Sequence, residues 1–184
     1  MKKITLVLGI GILLVIASVW FIRQNTKTAS PEADVNYSAD GFSVHIFYNR
    51  PFKKNRVIFD SAGLVPFGKV WRAGANEATV IETNKNLIIS GKTLKAGKYT
   101  LWVLPNPQTW TVIFNSEYGQ WGINFNGEAN RNPENDVLTV EAPVLIQDKI
   151  FEQFTISVEK VGEEQELIFI WDKTLVAVPF TVAP

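Results

Sequence analysis

An uncharged apolar run near the amino terminus is the longest hydrophobic feature of the chain. It begins at Ile4, ends at Ile22 and reads ITLVLGIGILLVIASVWFI. As a helix rising 1.5 Å per residue, the run covers roughly 28 Å, close to the ~30 Å hydrocarbon core of a bilayer. The pattern therefore predicts one transmembrane helix, which makes the lipid bilayer a partner of residues 4–22.

The charges that flank this run predict where the rest of the chain lies. Two lysines and the free amine precede the run, and Arg23 and Lys27 follow it. This small excess favours an amino end in the cytoplasm and a body outside it, in the periplasm or cell envelope. A cleaved signal peptide is the alternative, although its apolar core usually has only about 7–15 residues and ends at a small-residue cleavage site. Both interpretations export the body of the chain.

The chain divides by composition into three parts. Residues 1–22 are the predicted anchor. Residues 23–36, RQNTKTASPEADVN, are polar, contain one proline and have no apolar period, so they indicate a tether. Residues 37–184 are predicted to form a single domain.

The pattern of this domain is one of short runs with a period of two. Phe42, Val44, Ile46 and Tyr48 alternate with polar residues, which indicates a half-buried strand. Residues 98–104 are apolar on both faces and indicate a central strand. Asn84-Lys85-Asn86, between the runs 78–83 and 87–89, predicts a hairpin. Further strands are predicted at residues 110–114, 120–125, 137–144, 150–161, 166–171 and 175–182. Runs at this spacing predict an all-β domain, an antiparallel β-sandwich that is jelly-roll-like or barrel-like.

Composition removes several kinds of chemistry. The chain has 0 Cys and 1 His. Without cysteine there are no disulfides, thiolate nucleophiles, cysteine-ligated metals or cysteine-linked lipids. A single histidine excludes metal sites that need several imidazoles. No metal and no cofactor are therefore expected.

Charge is unevenly divided along the chain. The formal net charge is zero, but residues 128–184 contain 4 basic and 11 acidic residues. Residues 50–72 contain 6 basic residues and 1 acidic residue, which suits an anionic ligand. Nucleic acid is disfavoured as that ligand, because the predicted domain is exported and carries net negative charge.

The run VPFGKVWRAGANEAT, residues 65–79, is the most promising candidate site. It offers an Arg fork for a carboxylate, phosphate or sugar hydroxyl, and a Trp that can stack on a ligand. The candidate ligand-binding residues are Arg50, Arg56, Trp71, Arg72, Asn76, Glu77, Thr79 and His45. The purely structural alternative puts Trp71 in the core, pairs Arg72 with Glu77 and uses Asn76 to cap a turn.

Two other features have weaker claims to a function. His45 lies on the polar side of its predicted strand, and a catalytic role would require a nucleophile and a carboxylate, for which Glu77 is the candidate. No Gly-x-Ser-x-Gly motif is present, so a surface role for His45 is favoured. Residues 127–136 are rich in oxygen-bearing side chains, but their spacing does not match a calcium loop. Of the tryptophans, Trp121 beside Gly122 is predicted to be the exposed one.

Several motifs together are similar to a known family. The segments YNRPFKKNR, PFGKVWRAGANEAT, GKTLKAGKYTLWVLP, WTVIFN and QWG occur in this order. They resemble a bacterial family known as domain of unknown function 2911, over roughly residues 43–182. The chain departs from it at Asn55, where the family tends to have Gly, and at Ala73, where it tends to have Thr. The resemblance implies an exported or envelope-associated domain with no established activity.

These observations favour a binding protein over an enzyme. The leading hypothesis is a membrane-anchored β-sandwich outside the cytoplasm that binds a polar or anionic small molecule or a glycan. A carboxylate-based hydrolase of envelope polymers is an alternative, but it needs two carboxyl groups in one cleft. Glu77 and Glu82, five residues apart along a strand, would face opposite sides. A structural envelope module that contacts other proteins is the third possibility.

Overall fold

A computed structural model describes the backbone of residues 2–183 and the side chains of residues 9–21 and 23–183. One α-helix, α1 (Lys2–Ala29), is followed by strands and a 3₁₀ turn at Pro133–Asn135. The strands are β1 (Glu32–Ala39), β2 (Phe42–Asn49), β3 (Phe59–Asp60), β4 (Val65–Pro66), β5 (Thr79–Thr83), β6 (Leu87–Ile89), β7 (Lys92–Leu94), β8 (Gly97–Leu104), β9 (Thr109–Asn115), β10 (Asp136–Val161) and β11 (Glu164–Val182).

Helix α1 is long and apolar enough to cross a membrane, and Gly9–Ala29 passes this test by length and composition. The helix extends beyond the apolar run, because no helix breaker occurs before Pro31. Strand β1 then begins at Glu32, and its alternate apolar residues pack on the core. Residues 23–36, assigned to a tether in the sequence analysis, thus contain the end of α1 and the first part of β1.

The strands form one large antiparallel sheet, in agreement with the all-β prediction. Its order is β1-β2-β5-β8-β9-β10-β11-β6-β7, and β3 and β4 form a separate parallel pair. The register of β10 against β11 shifts between Ile146 and Thr155, which lets the sheet fold over on itself. Phe42 of β2 consequently meets Phe180 of β11, with ring centroids 5.9 Å apart. We call the part from β1 to the first half of β10 the first layer, and the remainder the second layer.

Strand β8 lies between β5 and β9, as its two apolar faces predicted. One face contributes Leu101 and Val103 to the core between the layers. The other face buries Trp102, with Ala78 and Ile113, beneath a long loop that includes Ala129. The first layer is therefore covered on both sides, and the candidate site lies on the covered outer side.

Three of the predicted strand details are wrong. Residues 84–86 do not close a hairpin, because β5 pairs with β2 and β8 while β6 pairs with β7 and β11. The tight turn is instead at Ser90-Gly91, where both residues have positive φ. Residues 120–125 form only isolated bridges rather than a strand. The predicted pairs of strands at 137–144 and 150–161, and at 166–171 and 175–182, each form one long strand.

Candidate functional site

The Trp71 side chain belongs to an aromatic cluster of the core. Its ring stacks on Trp171 with centroids 5.9 Å apart and an interplanar angle of 20°, and it lies 4.8 Å from the ring of Phe154. The indole Nε1 donates to the carbonyl of Gly74 at 2.9 Å. The backbone of Trp71 pairs with Val103 of β8. Trp71 is therefore held in the core by its ring and backbone, although it is only half-buried and part of it lines the clefts beside Arg72.

The loop that follows Trp71 is held by buried polar groups. Ala73 and Asn76 have φ of 47° and 58°, so the chain makes two left-handed bends within four residues. The Thr79 hydroxyl donates to the carbonyl of Ala73 at 2.7 Å. The Asn76 amide donates to Oδ1 of Asn49 at 3.1 Å. Asn76 and Thr79 thus position the loop and with it the neighbouring Arg72.

Arg72 lies against a glycine of a second loop. The Gly122 N–H donates to the carbonyl of Asn76 at 2.9 Å, which brings the two loops together. A Cβ at position 122 would lie 1.9 Å from Cδ of Arg72. No L-amino acid other than glycine fits there unless the arginine moves. The WRAGANEAT and QWG motifs are almost fifty residues apart in sequence, but they pack against each other and together form one site.

The charge of Arg72 has no partner among the residues that the structure describes. Its Nε–H is buried and donates to no acceptor within this part of the chain. Burial lowers the pKa of the Arg72 guanidinium to about 10, so the group is still protonated at neutral pH. A cation that is partly removed from water without a partner carries a desolvation cost, and an anion supplied from solution would offset it.

Arg72 lines a cleft of about 740 Å³ between residues 64–72 and the loop 122–131. We call it the basic cleft. Its charged lining residues are Lys69, Arg72, Glu128 and Arg131. Arg131 is paired with Asp136, whereas Lys69 is exposed at the rim. A smaller cleft of about 370 Å³ shares Arg72 and adds Lys54 and Arg56. The volume of the basic cleft is in the range of small-molecule sites.

Glu77 binds helix α1 rather than Arg72. Its Oε1 accepts from Arg23 at 3.0 Å and lies 4.0 Å from Lys27 Nζ, while Oε2 accepts from Asn49 at 3.2 Å. Burial raises the pKa of Glu77, but its own backbone N–H, Arg23 and Lys27 outweigh this and hold that pKa below its usual value. The predicted Arg72–Glu77 pair is wrong, because Arg72 runs toward Gly122 while Glu77 faces α1.

The other predicted site residues lie apart from the basic cleft. Arg50 donates to the carbonyl of Phe154 at 3.1 Å and to Thr155 Oγ1 at 2.7 Å. Arg56 donates to two backbone carbonyls of its own turn. His45 is exposed on β2, with Nε2 2.6 Å from Oδ1 of Asp34. The partner of His45 is thus Asp34, not Glu77.

Sequence reasoning missed Lys69, Gly122 and the 122–131 loop as parts of the site. The signal available was the glycine of the QWG motif. A glycine in a non-repetitive segment often marks either a positive φ or the close approach of another chain segment. Its partner, however, is distant in sequence and could not be read from the motif.

These features define a class of protein: an antiparallel β-domain with an apolar N-terminal helix and a basic cleft built from two loops. The chain belongs to the family described as Protein of unknown function (DUF2911), which matches residues 30–180. The match confirms the resemblance found in the sequence, and it includes both loops of the basic cleft. Comparison with curated proteins and with solved structures gives no match.

Proposed function

We propose that this protein is a membrane-anchored domain that binds an anionic small molecule in the basic cleft. The observation that carries the proposal is the half-buried Arg72, whose buried Nε–H has no acceptor among the described residues and whose side chain lines a cleft of about 740 Å³. Arginine presents a planar fork that suits carboxylate, phosphate and sulfate groups. A ligand with such a group would neutralise the charge that the fold leaves uncompensated.

The location proposed for the domain is outside the cytoplasm, in the periplasm or cell envelope. Helix α1 has the length and apolarity of a membrane span. The two lysines before the apolar run support an amino end in the cytoplasm. The absence of cysteine agrees with an exported domain that folds without disulfides.

The side chains that line the cleft favour an anion over a neutral glycan. Sugar binding usually relies on an exposed aromatic ring, whereas Trp71, the aromatic residue in the lining, is half-buried and packs on Trp171 and Phe154. Cations outnumber carboxylates in the lining, where Lys69 and Arg72 face Glu128. An anion would therefore find both a paired contact at Arg72 and a favourable potential at the rim.

A hydrolase is less well supported. Glu128 is the one carboxylate among the residues that line the basic cleft. Glu77, the carboxylate considered first, is neutralised by Arg23 and Lys27, and its lowered pKa opposes a role as a proton donor. Hydrolysis of a glycosidic bond of an envelope polymer commonly uses two carboxyl groups that flank the scissile bond.

The proposal can be tested by calorimetric titration of the full chain in neutral maltoside micelles. Citrate and inorganic phosphate serve as probes, and Arg72→Met removes the charge but keeps the apolar stem. We expect citrate to bind the wild type and to bind Arg72→Met at least tenfold more weakly. Lys95→Met is the matched control, because Lys95 is exposed in a turn and does not line the cleft. Equal heats of binding for wild type and Arg72→Met would refute the proposal.

A further inference from the structure

Helix α1 contacts the β-domain at the point where the apolar run of the helix ends. A mostly apolar depression of about 430 Å³ lies between the helix and the domain. Its lining residues are Val19, Arg23, Thr26, Glu77, Gly119 and Trp121. The Arg23 guanidinium carbon lies 5.6 Å from the ring centroid of Trp121. The ion pair of Arg23 with Glu77 fixes the same contact from the other side.

These contacts determine the level of Trp121 along the helix. Val19 belongs to the apolar run and Arg23 is the first charged residue after it. Four residues of helix correspond to a rise of about 6 Å, so the depression extends over the last apolar turn. In a membrane-spanning helix, the last apolar turn lies at the boundary between hydrocarbon and headgroups. Trp121, which lines this depression, is therefore brought to the same boundary.

The residues next to Trp121 suit that boundary. Tyr118 is 55% exposed, and Lys98 Nζ lies 5.2 Å from its ring centroid. On the helix, Trp20 is 63% exposed at the same level. Trp and Tyr are enriched where bilayers meet water, and a lysine beside them can approach lipid phosphates. Tyr118 and Trp20 are thus exposed, whereas Trp121, predicted to be the exposed tryptophan, is half-buried.

We propose that the segment 117–121 docks on the outer surface of the lipid bilayer beside α1, with Tyr118 and Trp121 among the headgroups. This inference rests on the proposed anchoring by α1 and is independent of anion binding in the basic cleft. The first layer of the sheet then faces the membrane, and the second layer faces away from it. Docking would hold the domain in one orientation instead of letting it swing on its anchor.

The chain has 0 Cys, so single cysteines can report the depth of chosen positions. Full-length Tyr118→Cys, Glu159→Cys and Ala17→Cys are labelled with bimane and reconstituted into phosphatidylcholine–phosphatidylglycerol vesicles. Glu159 is exposed on β10 in the second layer, and Ala17 lies in the apolar part of α1. Quenching is measured with lipids that carry a nitroxide in the headgroup or in the acyl chain.

Docking predicts that headgroup nitroxide quenches the label at position 118 at least threefold more strongly than the label at position 159. Equal quenching at these two positions, with strong acyl-chain quenching at position 17, would overturn the docking and leave the anchoring in place. Weak acyl-chain quenching at position 17 would overturn the anchoring itself and the docking with it. Because Tyr118 and Glu159 are both exposed, neither substitution threatens the fold.

Discussion

The basic side chains of residues 50–56 and the side chain of Arg72 are both cationic, but they differ in whether the fold supplies them with partners. Arg50 joins β2 to β10 through Phe154 and Thr155, and Lys53 binds Asp172 at 3.0 Å. Arg72, by contrast, is half-buried, and its buried Nε–H has no partner among the described residues. Positive charge is denser in the first region, yet Arg50, Lys53 and Arg56 already donate to partners within the fold. A ligand is therefore expected where a cation is unsatisfied, not where cations are most numerous.

The difference has an energetic meaning. Satisfied cations link strands and contribute to stability, whereas a buried cation without a partner subtracts from it. Proteins tolerate such a loss of stability mainly at functional sites, where the same group binds a ligand. Substitutions in the two regions should therefore have opposite signatures: loss of stability in the first and loss of binding in the second.

The largest effect on stability is expected for Arg50→Met. The change removes two hydrogen bonds from a charged donor and leaves the Phe154 carbonyl without that partner. We expect the free energy of unfolding to fall by about 3 kcal/mol. Chemical denaturation followed by near-UV circular dichroism of the buried tryptophans measures this loss. Citrate affinity should stay within about twofold of the wild type, and a tenfold loss of affinity would erase the contrast between the two regions.

A smaller effect is expected for Gly122→Ala. The new Cβ would lie 1.9 Å from Arg72 Cδ, so the arginine side chain must move. We expect a loss of about 2 kcal/mol in stability and of about tenfold in citrate affinity. In an Arg72→Ala background, which removes Cγ and Cδ and leaves only Cβ at 2.9 Å, the same change should cost less than half as much stability. An equal cost in both backgrounds would show that the two residues do not meet.

The smallest effect is expected at the contact of Glu77 with α1. Because the folded pKa of Glu77 is below its ordinary value, the ionised carboxylate contributes stability at neutral pH. That contribution is complete above the ordinary glutamate pKa of about 4.3 and is lost as the pH falls through the lowered folded pKa. Glu77→Gln should cost about 1 kcal/mol at pH 7 and much less at pH 3. Denaturation curves at both pH values measure this difference, and an equal cost at the two would contradict the ion pair.

Local pattern was sufficient for part of the fold. The alternation of Phe42 to Tyr48 gave β2, and the two apolar faces of residues 98–104 gave the central position of β8. The prediction of a hairpin at residues 84–86 was wrong. A polar turn does not determine whether the next strand pairs with the preceding strand or crosses to the other layer. That choice depends on pairing of β6 with β11, which is about ninety residues away.

The candidate site shows the same limit. Residues 65–79 were identified from their composition, and Arg72 does line a cleft. The pairing of Glu77 with Arg23 could not be foreseen, because it depends on α1 continuing past its apolar run to meet the loop before β5. The role of Gly122 likewise depends on a loop that folds back over the first layer. Contacts between distant segments, rather than motifs, determine which charges remain unsatisfied.

The most direct test of the central claim is the free energy of unfolding of Arg72→Met and wild type, each without and with saturating citrate. An uncompensated charge predicts that Arg72→Met is at least as stable as wild type in chloride buffer. Citrate at 100 times its dissociation constant should stabilise the wild type by about 2.7 kcal/mol and leave Arg72→Met unchanged. If Arg72→Met instead loses about 2 kcal/mol without citrate, or if citrate stabilises both proteins equally, Arg72 is a structural residue and the basic cleft is not an anion site.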